Sequence, residues 1–510
     1  MSHPRPSVSA SPPRPDGDLL RGLGYEPVLT RRMNGFGNAA ISFSVISVLS
    51  GCITMYGFGL ATGGPSVMLW GWVIVGFMVL FVGAGLAEVT SAYPTSGALY
   101  FMADRLGGRR WGWYTGWLNL LGLLGAIAGI DYGAAVSIGA LLNLQTGFEP
   151  TPQKILVIYL VILALHAGLN LFGVSLVSLL NRISVWWHVV GVVVIVGALT
   201  FAPVHHRSPR FVFSEFVNTT GWSNSTYVVL IGLLLAQYTF SGYDASAHLS
   251  EETTNAAVSA PRGIMRAITW SWVAGFVLLF GLTFSIQNYA AVQGSETGLP
   301  PAQIFLDALG TGGAKALLLV VIIAQLFCGN AEVAACSRMV FAFSRDGALP
   351  GSHLWRRVDG RTGTPRAAVW LSVGVAAALA LPSLYSPTAY NAVVAINVIG
   401  ITPAYAIPIY LRLRHRDRFT QGQWNLGRWS MPVGVVAVAW VAFVTVLFCL
   451  PQTRPETGAW VSVDTFNYAP VALVAVLALA TVWWRIAGRD YEIPAVAADT
   501  EMAKIQDGVV

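Results

Sequence analysis

The stretch AQYTFSGYDASAH, residues 236–248, places a glycine, hydroxyls and a carboxylate inside a segment long and apolar enough to cross a bilayer. A carboxylate costs roughly 2.5–3.5 kcal/mol at a helix centre in lipid, so Asp244 is expected to face a cavity or a partner. Gly242 lets the helix open, which membranes tolerate only where backbone lines a cavity or packs on protein. We therefore expect a broken transmembrane helix here.

A second glycine-rich stretch, YGFGLATGGP, lies at residues 56–65 in the first long apolar segment. Two interrupted spans, at corresponding positions in two halves of a chain, point to the binding site of a secondary transporter. The sequence thus predicts breaks in the first and sixth spans, at residues 56–65 and at Gly242. The alternative is that these glycines only allow close helix packing.

The composition is that of an all-α polytopic membrane protein. Of 510 residues, 55% are hydrophobic and only 11% are charged, whereas soluble domains carry about 25% charged residues. About 20 apolar residues make one helical span, and we place twelve spans near residues 38–61, 66–92, 113–143, 153–173, 182–202, 225–249, 264–288, 314–344, 366–384, 389–411, 432–450 and 467–487.

The breaks and the loop charges divide the chain and orient it. The predicted divisions are a disordered cytoplasmic tail (1–30), a first inverted repeat (31–210), a second (211–415), two further spans (416–489) and a C-terminal cytoplasmic tail (490–510). Arginines cluster in alternate loops, and the positive-inside rule places those loops and both termini in the cytoplasm. We expect the plasma (cell inner) membrane.

Other functional classes find little support in the sequence. The four cysteines are scattered through apolar stretches, with no disulfide or metal-ligand spacing. No phosphate loop or nucleophile triad is recognisable. We expect no enzyme, metal or cofactor, and no nucleic-acid partner; the partners are the lipid bilayer and a small molecule.

A broken helix offers free N–H groups at one new end and free carbonyls at the other. The N–H end, with its partial positive charge, suits a carboxylate, and the carbonyl end suits an ammonium group. Two antiparallel broken helices therefore predict a site for a zwitterion that needs little help from side chains.

Several motifs resemble the amino acid–polyamine–organocation (APC) permeases, over roughly residues 25–490. They are SAYPTSGALY (91–100), GYD (242–244) with SEET (250–253), and SR (337–338) with FSRDGALP (343–350). Two more, IDYGAA (130–135) and NRISVWWH (181–188), resemble its amino acid/choline transporter branch, which includes fungal choline and GABA permeases and plant bidirectional amino acid transporters.

The resemblance implies a five-plus-five inverted-repeat (LeuT-like) fold and alternating access around a central site. It also implies that span 1 binds the substrate carboxylate and that the amino group lies near span 6. Together with the break positions, it predicts these substrate-binding residues: Met55, Tyr56, Gly57, Phe58, Gly59, Tyr238, Phe240, Ser241, Gly242, Tyr243 and Glu332.

Asp244 and His188 are the proton-coupling candidates. Asp244 follows the glycine of the sixth span and either takes up a proton or braces the opened backbone. His188 lies in a region where related permeases carry a cation in place of sodium, and histidine titrates near physiological pH. The alternative for His188 is a neutral, hydrogen-bonded or interfacial ring.

Glu332 lies near mid-membrane, where an unpaired carboxylate is expected to be functional. Pairing with a cationic substrate group would favour GABA, a basic amino acid or a polyamine; the alternative is an internal pair with Arg338. Asp131 and Tyr132 either brace neighbouring helices or face the pathway. Three further acids near the arginine-rich span ends are expected to pair with loop arginines as an inner gate: Glu88, Glu251 and Glu252.

The sequence therefore predicts a secondary active transporter of an amino acid or related amine such as GABA, working by proton symport. An exchanger and a choline or polyamine transporter are the alternatives within this class. A membrane sensor that binds the same ligand without net transport is the alternative from another class. A channel is disfavoured because no rings of repeated charge are present.

Overall fold

A computed structural model describes residues 16–25, 31, 33–172, 174–295, 297–385, 389–460, 462 and 465–493. The regular elements in these ranges are helices, which confirms the all-α prediction. They are α1 (Asp16–Gly22), α2 (Gly35–Ile46), α3 (Val48–Thr54), α4 (Tyr56–Ala61), α5 (Gly64–Ala92), α6 (Ala98–Gly107), α7 (Arg109–Thr146), α8 (Pro152–Leu171), α9 (Val174–Phe201), α10 (Pro209–Ser214), α11 (Ser225–Gly232), α12 (Leu234–Thr239), α13 (Ala245–His248), α14 (Ala256–Phe284), α15 (Tyr289–Gln293), α16 (Pro300–Arg345), α17 (Ser352–Trp355), α18 (Arg366–Leu379), α19 (Ala389–Arg414), α20 (Ser430–Leu447) and α21 (Ala469–Ala487). Three 3-10 turns, at Ser250–Glu252, Leu381–Leu384 and Gly427–Trp429, complete the regular structure of these ranges.

Eleven helices in the described ranges are long and apolar enough to cross a membrane. The predicted sixth span appears instead as the shorter helical stretch Ser225–Thr239, because its helix is interrupted. Helix α16 is longer than predicted, and its backbone leaves helical geometry at Gly310. The protein is a multi-pass membrane protein.

The centre of the bundle is formed by α2, α3, α7, α16 and α19, which are largely buried. Helices α7 and α19 approach each other closely through glycines. A Cβ placed on Gly122 would lie 2.5 Å from the backbone nitrogen of Ile401, and one on Gly400 would lie 2.6 Å from the nitrogen of Gly122. Small residues at such crossings are how membrane helices pack without a hydrophobic driving force between them.

The outer helices present apolar side chains to the surroundings. Val161 on α8, Val193 on α9, Val446 on α20 and Val474 on α21 are each at least 64% exposed. Such a surface is stable against lipid tails and unfavourable against water. It places α8, α9, α20 and α21 at the lipid-facing periphery.

Parts of both terminal segments pack on one end of the bundle, where α5 ends, α14 begins and α16 ends. We call this end the arginine-rich face, since Arg109, Arg345 and Arg412 lie there. In α1 and the turn after it, Leu20, Leu23 and Tyr25 are buried.

The C-terminal segment also packs on the arginine-rich face, where Tyr491 is fully buried. This order at residues 16–25 and 490–493 differs from the tails expected from the sequence, because buried apolar side chains anchor both segments. Residues 1–15, 26–30 and 494–510 lie outside the described residues.

Candidate functional site

The sixth span is broken where the sequence predicts. Helix α12 ends at Thr239, α13 begins at Ala245, and Gly242 between them has φ +87°. A Cβ there would lie 2.1 Å from Cγ1 of Val45 on the first span. Gly242 is thus required both by its left-handed backbone and by the close approach of the two spans.

The first span is also broken, but not at residues 56–65, and that prediction is wrong. The break falls at Ser47, where φ is 25° and ψ is 88°. Residues 56–61 form helix α4. The glycines serve packing and turning instead. A Cβ on Gly59 would lie 2.5 Å from Met68, and Gly63, with φ +97°, turns the chain into α5.

Hydroxyl and amide side chains join the two broken spans on the side of the breaks nearer the arginine-rich face. The Ser42 hydroxyl bonds the Tyr243 carbonyl at 2.7 Å and the Ser246 hydroxyl at 2.6 Å. Asn38 Nδ2 donates to the Ser246 carbonyl at 2.9 Å. These bonds satisfy backbone groups that the unwound helices leave free, and they tie α2 to α13.

A small cavity lies between the two breaks. Residues lining it include Val45, Ser50, Gly51, Tyr238 and Ser241. Its volume is about 10 Å³, which is room for about one water molecule. The cavity is therefore too small for an organic ligand in this conformation.

Only part of the predicted substrate set reaches this cavity. Tyr238 and Ser241 line it. Phe240 packs on Trp72 with ring centroids 4.4 Å apart, and Tyr243 packs on Tyr405 at 4.6 Å.

The predicted residues from the first span lie away from the cavity. Met55 and Tyr56 are fully buried, and the Tyr56 hydroxyl bonds that of Thr283 at 2.8 Å. Gly57 packs on Pro300 at 3.1 Å from an ideal Cβ, and Phe58 is half-buried in α4. They were expected at the cavity because the sequence analysis placed the first-span break two to three helical turns after its observed position at Ser47.

Glu332 is a fully buried carboxylate, and neither of its oxygens has a hydrogen-bond partner among the described residues. It faces the sixth-span break, since Oε2 lies 3.8 Å from an ideal Cβ on Gly242. Arg338 is not its partner, because that guanidinium pairs with Glu252 at 3.2 Å. An unpartnered buried carboxylate is strongly unfavourable unless a proton or a cation joins it.

Asp244 has partners on both oxygens. The Tyr405 hydroxyl donates to Oδ1 at 2.7 Å, and Nε2 of His248 lies 3.1 Å from Oδ2. The same tyrosine oxygen accepts the Gly242 N–H at 3.0 Å. Asp244 therefore braces the break through Tyr405 and also touches a titratable ring.

His188 lies beside the first-span break. Its Nε2 is 2.7 Å from the Ser47 hydroxyl, and its Nδ1 is 2.7 Å from the Ser184 carbonyl. Since a carbonyl only accepts, Nδ1 carries a hydrogen, and Nε2 can then accept from Ser47. A neutral ring satisfies both contacts.

A second buried histidine–aspartate pair was missed by the sequence reasoning. Asp131 on α7 and His166 on α8 lie 3.0 Å apart and are fully buried. Gly329 makes room for them, because a Cβ there would lie 1.9 Å from Asp131 Oδ1. Asp131 thus braces neighbouring helices. The only sequence signal for His166 was an imidazole within an apolar segment, which is too common to single out.

The arginine-rich face is closed by ion pairs. Arg345 lies 3.5 Å from Glu251, and Arg412 lies 3.0 Å from Glu88. With the Arg338–Glu252 pair, they confirm that the three acids pair with arginines. The arginines lie at helix ends or within a helix, however, and not in the loops.

A larger cavity, of about 660 Å³, lies between α18, α19 and α21. Its lining includes Leu381, Ile396 and Val471 and contains no Asp, Glu, Lys, Arg or His side chain. It lacks the charged side chains that would pair with a zwitterion, so the small cavity between the breaks is the candidate site.

Comparison with known proteins shows which family of proteins this chain resembles. The family model described as amino acid permease matches residues 34–477. The chain is 39% identical to the amino-acid permease BAT1 of Arabidopsis thaliana, over 92% of this chain and 94% of that protein. It is 38% identical to the rice homologue of BAT1, with the same coverage, and 29% identical to the GABA-specific permease of Saccharomyces cerevisiae, over 93% and 85%.

The chain belongs to the amino acid permease family. It is therefore an amino acid transporter and not an enzyme, and the expected APC resemblance is confirmed. Within the described part of this permease, no group of three or more His, Cys, Asp or Glu side chains could hold a metal ion.

Proposed function

We propose that this permease moves an amino acid or a closely related amine by alternating access at the cavity between the two breaks, coupled to a proton gradient. The observation that carries the proposal is Glu332, a buried carboxylate with both oxygens unpartnered beside Gly242. The ammonium group of the substrate binds there.

The carboxyl end of the substrate is directed toward the extracellular half of the first span. Ser50 and Gly51, in the first turn of α3, line the cavity, and the Ser50 hydroxyl has no partner among the described residues. The backbone N–H groups of Ser50 and Gly51 already bond to Ser47, so the Ser50 hydroxyl is the group that receives the substrate carboxylate in this proposal. We place the arginine-rich face and both termini in the cytoplasm, following the positive-inside rule, and the protein in the plasma membrane.

A thermal-shift panel of amino acids, GABA, choline and polyamines tests binding, because a ligand that binds only the folded state raises the apparent Tm. We expect Glu332→Gln to lower the affinity for ligands with an ammonium group by at least about tenfold, since a hydrogen bond to a charged group contributes roughly 1.5–3 kcal/mol. The Tm shift that these ligands give should become smaller accordingly.

Glu149→Gln is the matched control, because Glu149 is exposed at the end of α7. Unchanged ligand shifts in Glu332→Gln would contradict the proposed ammonium site. Binding that is intact without any flux in proteoliposomes would instead favour the sensor alternative.

Proton coupling is tested by uptake into proteoliposomes with an imposed pH gradient. We expect Asp244→Asn to lose uphill uptake but keep downhill exchange, because Asn cannot take up a proton. His188→Gln should keep uphill uptake, since a neutral side chain already satisfies both contacts of His188. The opposite pattern would move the coupling role to His188.

A further inference from the structure

The ring of His248 is held between two hydrogen-bond acceptors. Nδ1 lies 3.1 Å from the carbonyl oxygen of Ser96, and Nε2 lies 3.1 Å from Oδ2 of Asp244. Both side chains of the pair are fully buried. Water therefore has no direct access to either contact.

This arrangement determines how many protons the pair holds. A carbonyl oxygen only accepts, so Nδ1 must carry a hydrogen. The contact at Nε2 then needs a second hydrogen, either on Nε2 or on the Asp244 carboxyl. A neutral ring beside an ionised carboxylate would place two lone pairs 3.1 Å apart in a dry site. Asn119 Nδ2 lies 3.3 Å from Nε2 and can donate only to an unprotonated nitrogen, which puts the second hydrogen on the Asp244 carboxyl. If the amide is turned so that Oδ1 faces the ring, Oδ1 accepts from a protonated Nε2, and the pair holds two hydrogens in either case.

We propose that Asp244 and His248 together form a proton-binding site whose occupancy keeps the arginine-rich face closed. The pair is neutral overall with the proton and carries one negative charge without it. On release, the proton passes to water that enters as the arginine-rich face opens, and no bond other than N–H or O–H changes. The proposal deepens the proton-coupled transport proposed above and rests on it for its physiological meaning.

The groups that face this pair favour a retained proton. Helix α16 contributes Glu332, whose carboxylate faces the same break at Gly242, and α19 contributes Tyr405. The turn after α13 contributes Glu251 and Glu252, whose charges are balanced by arginines. The facing residues of α2, α7 and α14 are uncharged, and Arg262 and Arg266 on α14 are exposed. Within the part of the chain that the structure describes, the buried Arg338 is already paired with Glu252 and is not available to stabilise a second negative charge.

A continuous hydrogen-bonded path connects the pair to the closed face. His248 contacts the carbonyl of Ser96, and the N–H of Ser96 donates to Glu251 at 2.9 Å. Glu251 in turn pairs with Arg345. After the proton is lost, the single hydrogen left on the ring lies on Nε2 and is donated to the ionised Asp244 carboxylate, so Nδ1 no longer donates to the Ser96 carbonyl. The loop around Ser96 is then released from the sixth span, and the face opens.

Histidine labelled with ¹⁵N reports the proton directly. At neutral pH, we expect the His248 signal, assigned by its absence in His248→Gln, to show two protonated ring nitrogens, or infrared spectra to show a protonated carboxyl that is lost in Asp244→Asn. His206→Gln is a control, because the His206 ring contacts Phe284 and the Leu199 carbonyl rather than Asp244. A neutral ring together with an ionised Asp244 would overturn the proposal.

Opening of the face is measured by maleimide labelling of Ser96→Cys in purified protein. The Ser96 hydroxyl is buried without a described partner, so this change keeps the backbone contacts. Labelling is divided by that of Gly360→Cys at an exposed site, which removes the intrinsic effect of pH on thiols. We expect the ratio to rise several-fold from mildly acidic to mildly alkaline pH, and to be flat in the His248→Gln background.

Tyr405→Phe provides a second test if His248→Gln does not fold. It removes the hydroxyl that donates to Asp244, so the proton is held more tightly and the labelling transition should move to higher pH. An unmoved transition, or a pH-dependent ratio in His248→Gln, would overturn the proposal. Neither readout needs a substrate, whereas failure of the transport proposal would appear as absent ligand binding in the thermal-shift panel.

Discussion

At the scale of single residues, the site depends on a missing side chain at Gly242 and on a missing ion-pair partner at Glu332. Gly242 excludes a Cβ, because Val45 occupies that space and the backbone is left-handed. Glu332 has no ion pair with Arg338, because the Arg338 guanidinium pairs with Glu252. The first makes the two spans meet, and the second leaves a charge for a ligand.

We expect Gly242→Ala to lower the free energy of unfolding by several kcal/mol. The left-handed conformation costs an L-residue roughly 1–2 kcal/mol, and overpacking adds typically 1–3 kcal/mol. Apparent Tm measures the effect. Adding Val45→Ala to the same chain should recover the free energy lost to overpacking, but not the free energy lost to the left-handed backbone conformation.

Gly374→Ala is the matched control for that substitution. Gly374 lies within α18 with no heavy atom within 4 Å of an ideal Cβ. Alanine is favoured over glycine in a helix by about 1 kcal/mol, so this variant should be slightly more stable. Equal effects of the two substitutions would show that the close approach at Gly242 is not required.

At the scale of helices, the two breaks show what the sequence could and could not predict. The sixth break was predictable because a glycine stands two residues before a carboxylate in an apolar span. The first was misplaced because Gly57 and Gly59 serve close packing, which has the same sequence signature. Ser47 gives no comparable signal, since its unusual backbone depends on His188 and on the facing span.

The polar pairs divide in the same way. Acids near arginine-rich helix ends were predictable as ion pairs, because charges at that depth need partners. Asp244 and His248 are four residues apart, a spacing at which side chains on a helix can meet, but the sequence reasoning did not use it. The pair Asp131–His166 could be read only from the structure. His166 lies 35 residues after its partner, so no short-range pattern connects them.

Asp346, immediately after α16, predicts how stability depends on pH. Burial raises the pKa of this carboxyl to about 6, although Arg345 and the hydroxyls of Tyr100 and Tyr25 act in the opposite direction. The folded state therefore holds the proton more tightly than the unfolded state. Stability is lost as pH rises from the unfolded value of about 4 toward 6, and the full loss, on the order of 3 kcal/mol, is present at neutral pH.

We expect the apparent Tm of Asp346→Asn, measured relative to that of the parent, to increase as pH rises across this window, because the parent loses stability there and the variant does not. Asp359→Asn is a control of opposite sign, because backbone hydrogen bonding from Thr362 lowers the pKa of the partly exposed Asp359 carboxyl. A Tm difference for Asp346→Asn that does not change with pH would contradict the expectation.

At the scale of the whole molecule, both terminal segments bond to one residue of the arginine-rich face, Asp346. The Tyr25 hydroxyl, after α1, donates to Asp346 Oδ2 at 2.9 Å, and Tyr100 donates to the same oxygen at 2.8 Å. From the other end of the chain, the N–H of Glu492 donates to the Asp346 carbonyl at 3.1 Å.

The N-terminal segment also caps α14. Asp16 accepts from the backbone N–H groups of Asn255 and Ala256 at 2.6 and 3.2 Å, and Arg31 donates to the Thr253 carbonyl at 2.8 Å. A negative side chain at a helix N-terminus is stabilising. The two segments therefore join helices α6, α14 and α16, which must separate if this face is to open.

Two truncations separate the contribution of the C-terminal segment from that of the residues beyond it. A chain ending at Gly488 loses Tyr491, which is fully buried, and the bond from Arg109 to the Tyr491 carbonyl. Burial of one large side chain contributes roughly 1.5–3 kcal/mol, so we expect a lower apparent Tm. Faster labelling of Ser96→Cys should accompany it, because the closed face has lost one of its clamps. A chain ending at Ile493 keeps these contacts and should match the parent in both measurements. If the shorter chain labels no faster while its Tm falls, the segment stabilises the fold without holding the face closed.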